Sequence, residues 1–210
     1  MSFLLPRVYP LTDVRLTGLS HSEQVKRLSA GGAALVQLRE KDMAVRDFLA
    51  EAQAALINAR DSGVKLIIND RVDVVMAIGA DGVHLGQDDL PPVSARALLG
   101  PQAIVGFSTH DRWQAISALA LPIDYIAVGP VFPTQTKGDT APHLGLAGVR
   151  EVRQAIGSFP LVAIGGITEV NALDVVAAGA DSVALISSLL AEPVEITTRT
   201  ARLLQTLKDF

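Results

Sequence analysis

The sequence predicts an α/β protein in which the whole chain, residues 1–210, folds as a single-domain (β/α)8 TIM barrel. Two observations predict this fold. Short apolar runs alternate with amphipathic stretches from one end of the chain to the other, and one helix-to-strand junction recurs along it. The length of 210 residues lies near the lower limit for eight such units. An open, doubly wound sheet is the structural alternative, because periodicity alone does not show whether a sheet closes.

The composition is typical of buried parallel strands covered by alanine-rich helices. Hydrophobic residues make up 49% of the chain, aromatic residues 4% and charged residues 19%, which argues against disorder. The net charge of -4 and the absence of a basic run argue against nucleic-acid binding. No stretch approaches the ~20 apolar residues of a membrane span and no signal peptide is recognisable, so we expect a cytoplasmic protein. There is no cysteine, which excludes disulfides and thiolate metal sites.

Eight apolar runs are predicted to be the strands, because each is too short for a helix and rich in branched side chains. Pro10 weakens the first run, since proline cannot donate a hydrogen bond to a neighbouring strand. The runs cover residues 8–12, 34–38, 65–69, 82–85, 103–106, 125–128, 161–164 and 183–186.

The segments between these runs carry helix signals. Ser20 and Glu23 form a capping box that can satisfy free backbone amides at a helix start. Apolar side chains between residues 42 and 63 fall on one helical stripe, and the glycine at its end is placed as a terminator. Thr168 and Pro193 are the predicted starts of the last two helices.

The recurring junction joins a helix end to a strand start. Residues 79–83 read Gly-Ala-Asp-Gly-Val, residues 179–183 read Gly-Ala-Asp-Ser-Val, and residues 31–35 are a looser copy. The glycine can end the helix in a left-handed conformation before the chain enters the sheet. Repetition of one such unit favours a closed barrel.

A polar cluster begins inside the second predicted strand and continues beyond it. Strand alternation places Gln37, Arg39 and Lys41 on one side, so that two cations face the mouth of the barrel. Catalytic residues of this fold lie on the loops after the strands. An ordinary charged loop is the simpler interpretation, but it does not explain why the cluster starts within a strand.

Carboxylates follow the third and fourth predicted strands. Asp70 and Asp89 could point at one shared space, where they would repel each other unless a cation lay between them. Mg²⁺ is suited to this position, because it takes one or two carboxylates together with phosphate oxygens and waters. Taken alone, each aspartate is better explained as a helix cap or a solvated turn residue.

The histidines show neither metal-ligand spacing nor a nucleophilic triad. Ser108 is predicted to open a helix after the fifth strand, followed by Thr109 and His110. We expect His84 within a strand and His21 on a solvated helix face.

Two further loops have the features of anion sites. Residues 129–144 form the longest predicted loop, and Thr134, Thr136 and Lys137 in it make a natural anion clamp. Glycines 165 and 166 and serines 187 and 188 follow the seventh and eighth strands, where barrels of this kind usually bind phosphate.

Taken in chain order, these motifs resemble those of the thiamine-phosphate synthases. Single motifs such as Gly-Gly-Ile are common among phosphate-binding barrels, whereas the full series is specific. Two departures from the family pattern are Phe107 before the serine and Gly138 after the lysine. The matching segments are residues 37–41, 68–71, 83–89, 108–110, 129–137, 163–167 and 186–187.

The resemblance implies a transferase that joins an amino-substituted hydroxymethylpyrimidine diphosphate to a hydroxyethylthiazole phosphate and releases pyrophosphate, by a dissociative, magnesium-assisted route. It implies Mg²⁺ at Asp70 and Asp89, and small-molecule substrates as the partners, with a homo-oligomer left open. The catalytic residues it implies are Arg39, Lys41, Ser108 and Lys137. The substrate-binding residues it implies are Gln37, Leu38, Arg39, Glu40, Lys41, Asn69, Ser108, Thr134, Gln135, Thr136, Lys137, Gly165, Gly166, Ile186 and Ser187.

Two other functions are compatible with a barrel of this kind. A thiazole tautomerase would bind a thiazole phosphate on the same fold, but it handles no diphosphate leaving group and needs no acidic pair. A non-catalytic regulator that binds thiazole phosphate would not need two carboxylates and three cations at one mouth.

Overall fold

The computed structural model describes residues 4–134 and 142–209, and eight strands in this part of the chain form one parallel sheet. Their order in the sheet is β1-β8-β7-β6-β5-β4-β3-β2. The strands are β1 Val8–Pro10, β2 Leu35–Leu38, β3 Lys65–Asn69, β4 Gly82–Leu85, β5 Ile104–Thr109, β6 Tyr125–Val128, β7 Leu161–Ile164 and β8 Ser182–Leu185.

The sheet closes on itself between β1 and β2. Leu11 pairs with Gln37 in a parallel bridge, and the backbone amide of Thr12 donates to the carbonyl of Gln37 at 2.9 Å. On its other side Leu11 donates to the carbonyl of Leu185 in β8. These contacts confirm the predicted (β/α)8 barrel and exclude the open sheet. Pro10 is accommodated in the first strand, which is only three residues long.

Helices cover the outside of the barrel, one long or medium helix after each strand, with two additional single-turn helices. In α3 the buried face is largely alanine, which allows the helix to approach the strands closely. The helices are α1 Val14–Thr17, α2 His21–Ala30, α3 Val45–Asp61, α4 Val72–Ile78, α5 Pro92–Leu99, α6 Arg112–Ala118, α7 Gly145–Ile156, α8 Ala172–Ala177, α9 Ser187–Leu190 and α10 Ile196–Thr206. None of those in the described residues is both long and apolar enough to cross a membrane.

The helix signals are confirmed in part. The Ser20 side chain accepts from the backbone amide of Glu23 at 3.1 Å, as the capping box predicts. Pro193 opens a 3-10 turn that runs into α10. The prediction for Thr168 is wrong, because its backbone amide donates to the side chain of Asn171 at 2.7 Å and holds a turn ahead of α8.

The fifth strand is longer than predicted. Residues 103–106 were expected, but β5 continues to Thr109, which pairs with Val128 in β6. Ser108 and Thr109 therefore lie within the strand and do not open a helix. The next helix has Asp111 as its N-cap, with the side chain accepting two backbone amides.

The prediction that His21 is solvated is also wrong. Its side chain is fully buried, with Nδ1 at 2.7 Å from the hydroxyl of Thr12 and Nε2 at 3.3 Å from a carboxylate oxygen of Glu40. The ring also packs edge-on against Phe48 of α3. These partners come from segments that are distant in sequence, so the helical pattern around His21 carries no sign of them.

Candidate active site

Two adjoining cavities open at the carboxyl ends of the strands. We call one the polar cavity; Gln37, Arg39, Lys41, Asn69, Asp70, His84, Asp88, Asp89 and Ser108 are among the residues that line it. We call the other the glycine-lined cavity; its lining includes Ser108, His110, Gly129, Thr134, Gly165, Gly166, Ile186 and Ser187. Ser108 and His110 line both, as do Ala127 in β6, Ile164 in β7 and Ala184 in β8, so the two cavities meet along the barrel mouth from β5 to β8.

Strand alternation positions the cationic side of the polar cavity. Gln37 in β2 faces the interior of the barrel and is 2% exposed, and Arg39 and Lys41 continue the same side beyond the strand. The two residues between them turn away. Leu38 is fully buried in the hydrophobic core, and the Glu40 side chain bonds to His21, so neither side chain lines a described cavity.

Arg39 has an ion pair within the described residues, but one of its donor atoms is left without an acceptor. Its guanidinium lies 3.5 Å from a carboxylate oxygen of Asp13, and its side chain is 13% exposed. Its Nε atom is buried and has no hydrogen-bond partner among the described residues. A buried charged donor without a partner is costly, so this atom favours an anionic ligand in the polar cavity.

The two aspartates predicted to hold a metal lie together. Asp70 follows β3 and has a φ of 64°, in the left-handed region, where aspartate is tolerated better than most residues. Its carboxylate is 2.5 Å from Nζ of Lys41. Burial raises the pKa of Asp70, and the adjacent Asp89 carboxylate adds to this effect while Lys41 opposes it. Asp89 in turn accepts from the backbone amide of Gly86 at 2.6 Å.

This carboxylate pair fits the requirements of Mg²⁺. Within residues 4–134 and 142–209, no three histidine or carboxylate side chains are grouped so that they could enclose a metal by themselves. Mg²⁺ commonly binds through one or two carboxylates and completes its octahedral shell with substrate phosphate oxygens and waters. Asp70 and Asp89 therefore suit a metal that binds together with a phosphorylated substrate.

A chain of buried hydrogen bonds lies beneath the polar cavity. Nε2 of Gln37 donates to the hydroxyl of Tyr9 at 2.9 Å, and that hydroxyl is 2.9 Å from the hydroxyl of Tyr125. Tyr125 contacts Nδ1 of His84 at 3.0 Å, and Nε2 of His84 contacts the hydroxyl of Ser108 at 2.8 Å. Asn69, at the end of β3, lines the same cavity and is 8% exposed.

The sequence predictions missed the two tyrosines and the histidine of this chain. Each lies in a strand, at Tyr9 in β1, His84 in β4 and Tyr125 in β6. Polar aromatic side chains in strands that are otherwise aliphatic are the signal that could have found them.

Glycines form one wall of the second cavity because a side chain would not fit there. The φ angles of Gly165 and Gly166 are 101° and 63°. A Cβ atom on Gly165 would lie 2.6 Å from Cα of Pro130, and one on Gly166 would lie 2.7 Å from Cβ of Phe132. The backbone after β7 therefore packs directly against the loop after β6, and a ligand at this wall meets main chain.

Between β6 and α7 lies the longest interval between neighbouring elements of the described chain, residues 129–144, where the sequence predicts the longest loop. Thr134 lines the glycine-lined cavity. Three of the predicted site residues, Gln135, Thr136 and Lys137, lie outside the described residues, as does the departure at Gly138. The other departure, Phe107, is buried and lines neither cavity.

Fold and site together define a (β/α)8 barrel with a cavity of cations and carboxylates and a glycine-lined cavity at its mouth. A family model described as thiamine monophosphate synthase matches residues 8–189, and the chain belongs to that family. It is an enzyme of thiamine biosynthesis, a transferase.

Relatives and a solved structure agree with this assignment. A thiamine-phosphate synthase from Chloroflexus aurantiacus is 45% identical over 202 residues, covering 96% of this chain and 92% of the relative. One from Methanoculleus marisnigri is 45% identical over 186 residues, covering 88% of each chain. The structure of a thiamine phosphate pyrophosphorylase from Pyrococcus furiosus superposes with a TM-score of 0.87 at 32% identity, covering 97% of this chain and 96% of that one. These matches favour the synthase over the tautomerase and the regulator.

Proposed function

We propose that the chain joins an amino-substituted hydroxymethylpyrimidine diphosphate to a hydroxyethylthiazole phosphate, with release of pyrophosphate. The observation that carries this proposal is the union of two different cavities at Ser108. One has cations and a carboxylate pair suited to a diphosphate, and the other has a glycine wall suited to a phosphate. An isomerase of a thiazole phosphate needs only the second.

The cations of the polar cavity act on the diphosphate. Arg39 donates a hydrogen bond to the diphosphate from its unpartnered Nε. The Lys41 ammonium contacts Asp70 in the free protein and contacts the diphosphate when that substrate binds. Such groups lower the barrier when they oppose charge that grows in the transition state. We assign Lys137 the same role from its place in the sequence.

The metal role is assigned to Asp70 and Asp89. Burial raises the pKa of Asp70, the neighbouring Asp89 carboxylate adds to that rise and Lys41 opposes it, so a further cation beside this pair would be favourable. When bound there, Mg²⁺ would neutralise the charge of the departing pyrophosphate.

The thiazole phosphate is assigned to the glycine-lined cavity. Gly165 and Gly166 bring main chain to its wall, and Thr134, Ile186 and Ser187 line the same space. Thr136 and Gln135 are assigned to this substrate from the sequence. Backbone amides beside a phosphate are a common arrangement at this end of the barrel.

The reaction proceeds by dissociation before attack. The carbon–oxygen bond breaks, the electron pair leaves with pyrophosphate, and the thiazole nitrogen then gives its lone pair to the pyrimidine methylene carbon. Support comes from the concentration of leaving-group stabilisers around Arg39 and Lys41, while Ser108 bonds to a histidine that is itself tied to Tyr125. No protein nucleophile is needed in this sequence of steps.

The test is release of pyrophosphate from the purified chain with magnesium. Release should require both substrates, and each substrate alone should give none above background. Pyrophosphate release from the pyrimidine diphosphate alone at the full rate would indicate a hydrolase and contradict the proposal. The single-domain boundary, the cytoplasmic location and a homo-oligomer remain predictions.

A further inference from the structure

The buried chain beneath the polar cavity links two residues that face it. At one end, Oε1 of Gln37 is buried and has no hydrogen-bond partner among the described residues, while its Nε2 atom is held by Tyr9. At the other end, the hydroxyl of Ser108 lies where the two cavities meet and is held by His84. Tyr9 and Tyr125 connect the two ends.

The packing around Tyr125 is built to hold its hydroxyl in the chain. Gly106 in β5 pairs with both His84 and Tyr125 across the sheet. A Cβ atom at Gly106 would lie 2.0 Å from Cζ of Tyr125, so only glycine leaves room for the ring. The rings of His84 and Tyr125 stack with centroids 5.5 Å apart. Burial raises the pKa of both tyrosines, so their hydroxyls keep their protons.

Counting protons restricts the chain to two arrangements. Each tyrosine hydroxyl has one proton to donate, and a neutral histidine carries a proton on only one ring nitrogen. If both tyrosines donate within the chain, all hydrogen bonds must run in the same direction. Either Gln37 donates at one end and Ser108 accepts at the other, or Ser108 donates and Gln37 accepts.

The Gln37 amide is oriented with Nε2 toward Tyr9, and this orientation corresponds to the first arrangement. Nε2 can only donate, so Tyr9 donates to Tyr125, and Tyr125 donates to Nδ1 of His84. If His84 is neutral, its ring proton is then on Nε2 and is donated to Ser108. This leaves Oε1 of Gln37, a residue that lines the polar cavity, as an unused acceptor, and leaves the Ser108 proton available for a ligand.

We propose that Tyr9, Tyr125 and His84 are positioning residues that set the hydrogen-bond polarity of Gln37 and Ser108 together, and so select a ring that offers a donor to Gln37 and an acceptor to Ser108. This inference rests on the proposed function. An aminopyrimidine has that pattern, with an exocyclic amine as donor and a ring nitrogen as acceptor. The corresponding oxo ring has the inverse pattern, since its carbonyl accepts and its ring N–H donates.

The experiment compares the amino and oxo forms of the pyrimidine diphosphate in wild type and Tyr125→Phe. The wild type should prefer the amino form in kcat/KM by about a hundredfold or more, because the oxo form leaves buried polar groups unpaired. Tyr125→Phe cuts the chain without removing Gln37 or Ser108, so each half can reverse independently. The preference should then fall about tenfold. Any intrinsic difference in reactivity between the two diphosphates cancels when the two ratios are compared.

Two variants serve as controls. Tyr9→Phe cuts the chain one link nearer to Gln37 and should also reduce the preference, which keeps the test available if Tyr125→Phe does not fold. Thr200→Val removes one buried hydroxyl hydrogen bond, to the carbonyl of Ile196 in α10, away from both cavities. It should leave the preference unchanged.

An unchanged preference in a folded, active Tyr125→Phe or Tyr9→Phe enzyme would overturn the proposal, even if kcat falls. A wild type that does not distinguish the two forms would also overturn it. Failure of the proposed function looks different, because the wild type would then release no pyrophosphate from the amino form with the thiazole phosphate present.

Discussion

At the scale of single residues, the site depends on charges that the fold holds in unfavourable positions. Asp70 has a left-handed backbone and a raised pKa, and the nearby Asp89 carboxylate contributes to that shift. Arg39 has a buried Nε without a partner in the described part of the chain. Burial of the Asp70 carboxylate and of the unpaired Arg39 Nε costs folding free energy in the free protein. A bound anion with its cation would reduce both costs.

Asp70→Asn and Asp89→Asn should each lower turnover by at least about a hundredfold, because a metal contributes several kcal/mol to charge stabilisation. Asparagine also tolerates the left-handed backbone, so the Asp70 variant should fold. The measurement is the rate of pyrophosphate release as a function of magnesium concentration. Asp61→Asn, an exposed carboxylate at the end of α3, is the matched control and should leave the rate unchanged. Wild-type activity of both site variants at limiting magnesium would refute the metal assignment.

At the scale of elements, Glu40 holds the segment after β2, although the family resemblance assigned Glu40 to the substrate. The Glu40 carboxylate accepts from the backbone amides of Lys41 and Asp42 at 2.8 Å and of Met43 at 3.1 Å, and it contacts His21. Burial raises the pKa of Glu40, but these amides and His21 outweigh it and lower the pKa overall. Glu40 therefore shapes the backbone that presents the two cations to the cavity.

Glu40→Gln should raise KM for the pyrimidine diphosphate about five- to tenfold with a smaller effect on KM for the thiazole phosphate. Hydrogen bonds to a charged acceptor are worth about 1 kcal/mol more than neutral ones, and the loop loses that difference. Steady-state kinetics with each substrate varied in turn measure the effect. Glu23→Gln removes a surface pair with Arg27 on α2 and should change neither KM. Equal increases for both substrates would point to general destabilisation.

His21, which contacts Glu40 of this segment, makes the free energy of unfolding depend on pH in the acid range. Burial lowers the pKa of His21, while Glu40 opposes the shift. A lowered pKa means that the unfolded chain binds the proton more readily, so stability is fully present above about pH 6.5 and declines as the pH falls below it. His21→Gln should therefore lose less stability than wild type between pH 7 and pH 5, measured by denaturant unfolding. Parallel losses in the two proteins would contradict this account.

The glycine wall allows a test in which backbone strain is matched. Gly166 and Gly63 have φ angles of 63° and 69°, so alanine at either position costs about 1 kcal/mol or more in strain. A Cβ atom at Gly166 meets Phe132 and Pro133, whereas one at Gly63 meets nothing within 4 Å. Gly166→Ala should raise KM for the thiazole phosphate at least about tenfold, and Gly63→Ala should lower only the melting temperature. Equal KM values for the two variants would contradict the assignment of the thiazole phosphate to the glycine wall.

At the scale of the whole molecule, closure of the barrel brings the two cavities together. The cations follow β2, Asp70 follows β3 and the glycine wall follows β7, while β5 lies between β3 and β7 and contains Ser108. In the proposed reaction the two substrates bind in adjoining spaces, and holding them together would supply much of the entropic part of catalysis.

A substrate with trifluoromethyl in place of the pyrimidine methyl group tests that order of events. If the carbon–oxygen bond breaks first, the transition state carries positive charge, and the electron-withdrawing group should slow turnover beyond about a thousandfold, or about 4 kcal/mol of barrier. Binding of the analogue should change little, because only the transition state carries the charge. Single-turnover kinetics measure both quantities. A rate within a fewfold of the natural substrate, with chemistry rate-limiting, would support direct displacement instead.

The sequence by itself determined the features that depend on local pattern. Strand alternation placed Gln37, Arg39 and Lys41 on one side, and they line one cavity. The eight apolar runs predicted the strands, and the ordered motifs indicated the family. Local signals suffice for these features because side-chain periodicity and helix capping act over a few residues.

Only the tertiary structure decided which long-range contacts the polar residues make. The sequence assigned Glu40 to the substrate and His21 to solvent, yet they contact each other across 19 positions of the chain. Ser108 was expected to open a helix, but pairing with β6 extends the strand and brings it to His84. Tyr9 and Tyr125 lie 116 positions apart and meet only because the barrel closes. Such contacts have no local signature, since closure of the sheet sets which strands share the interior.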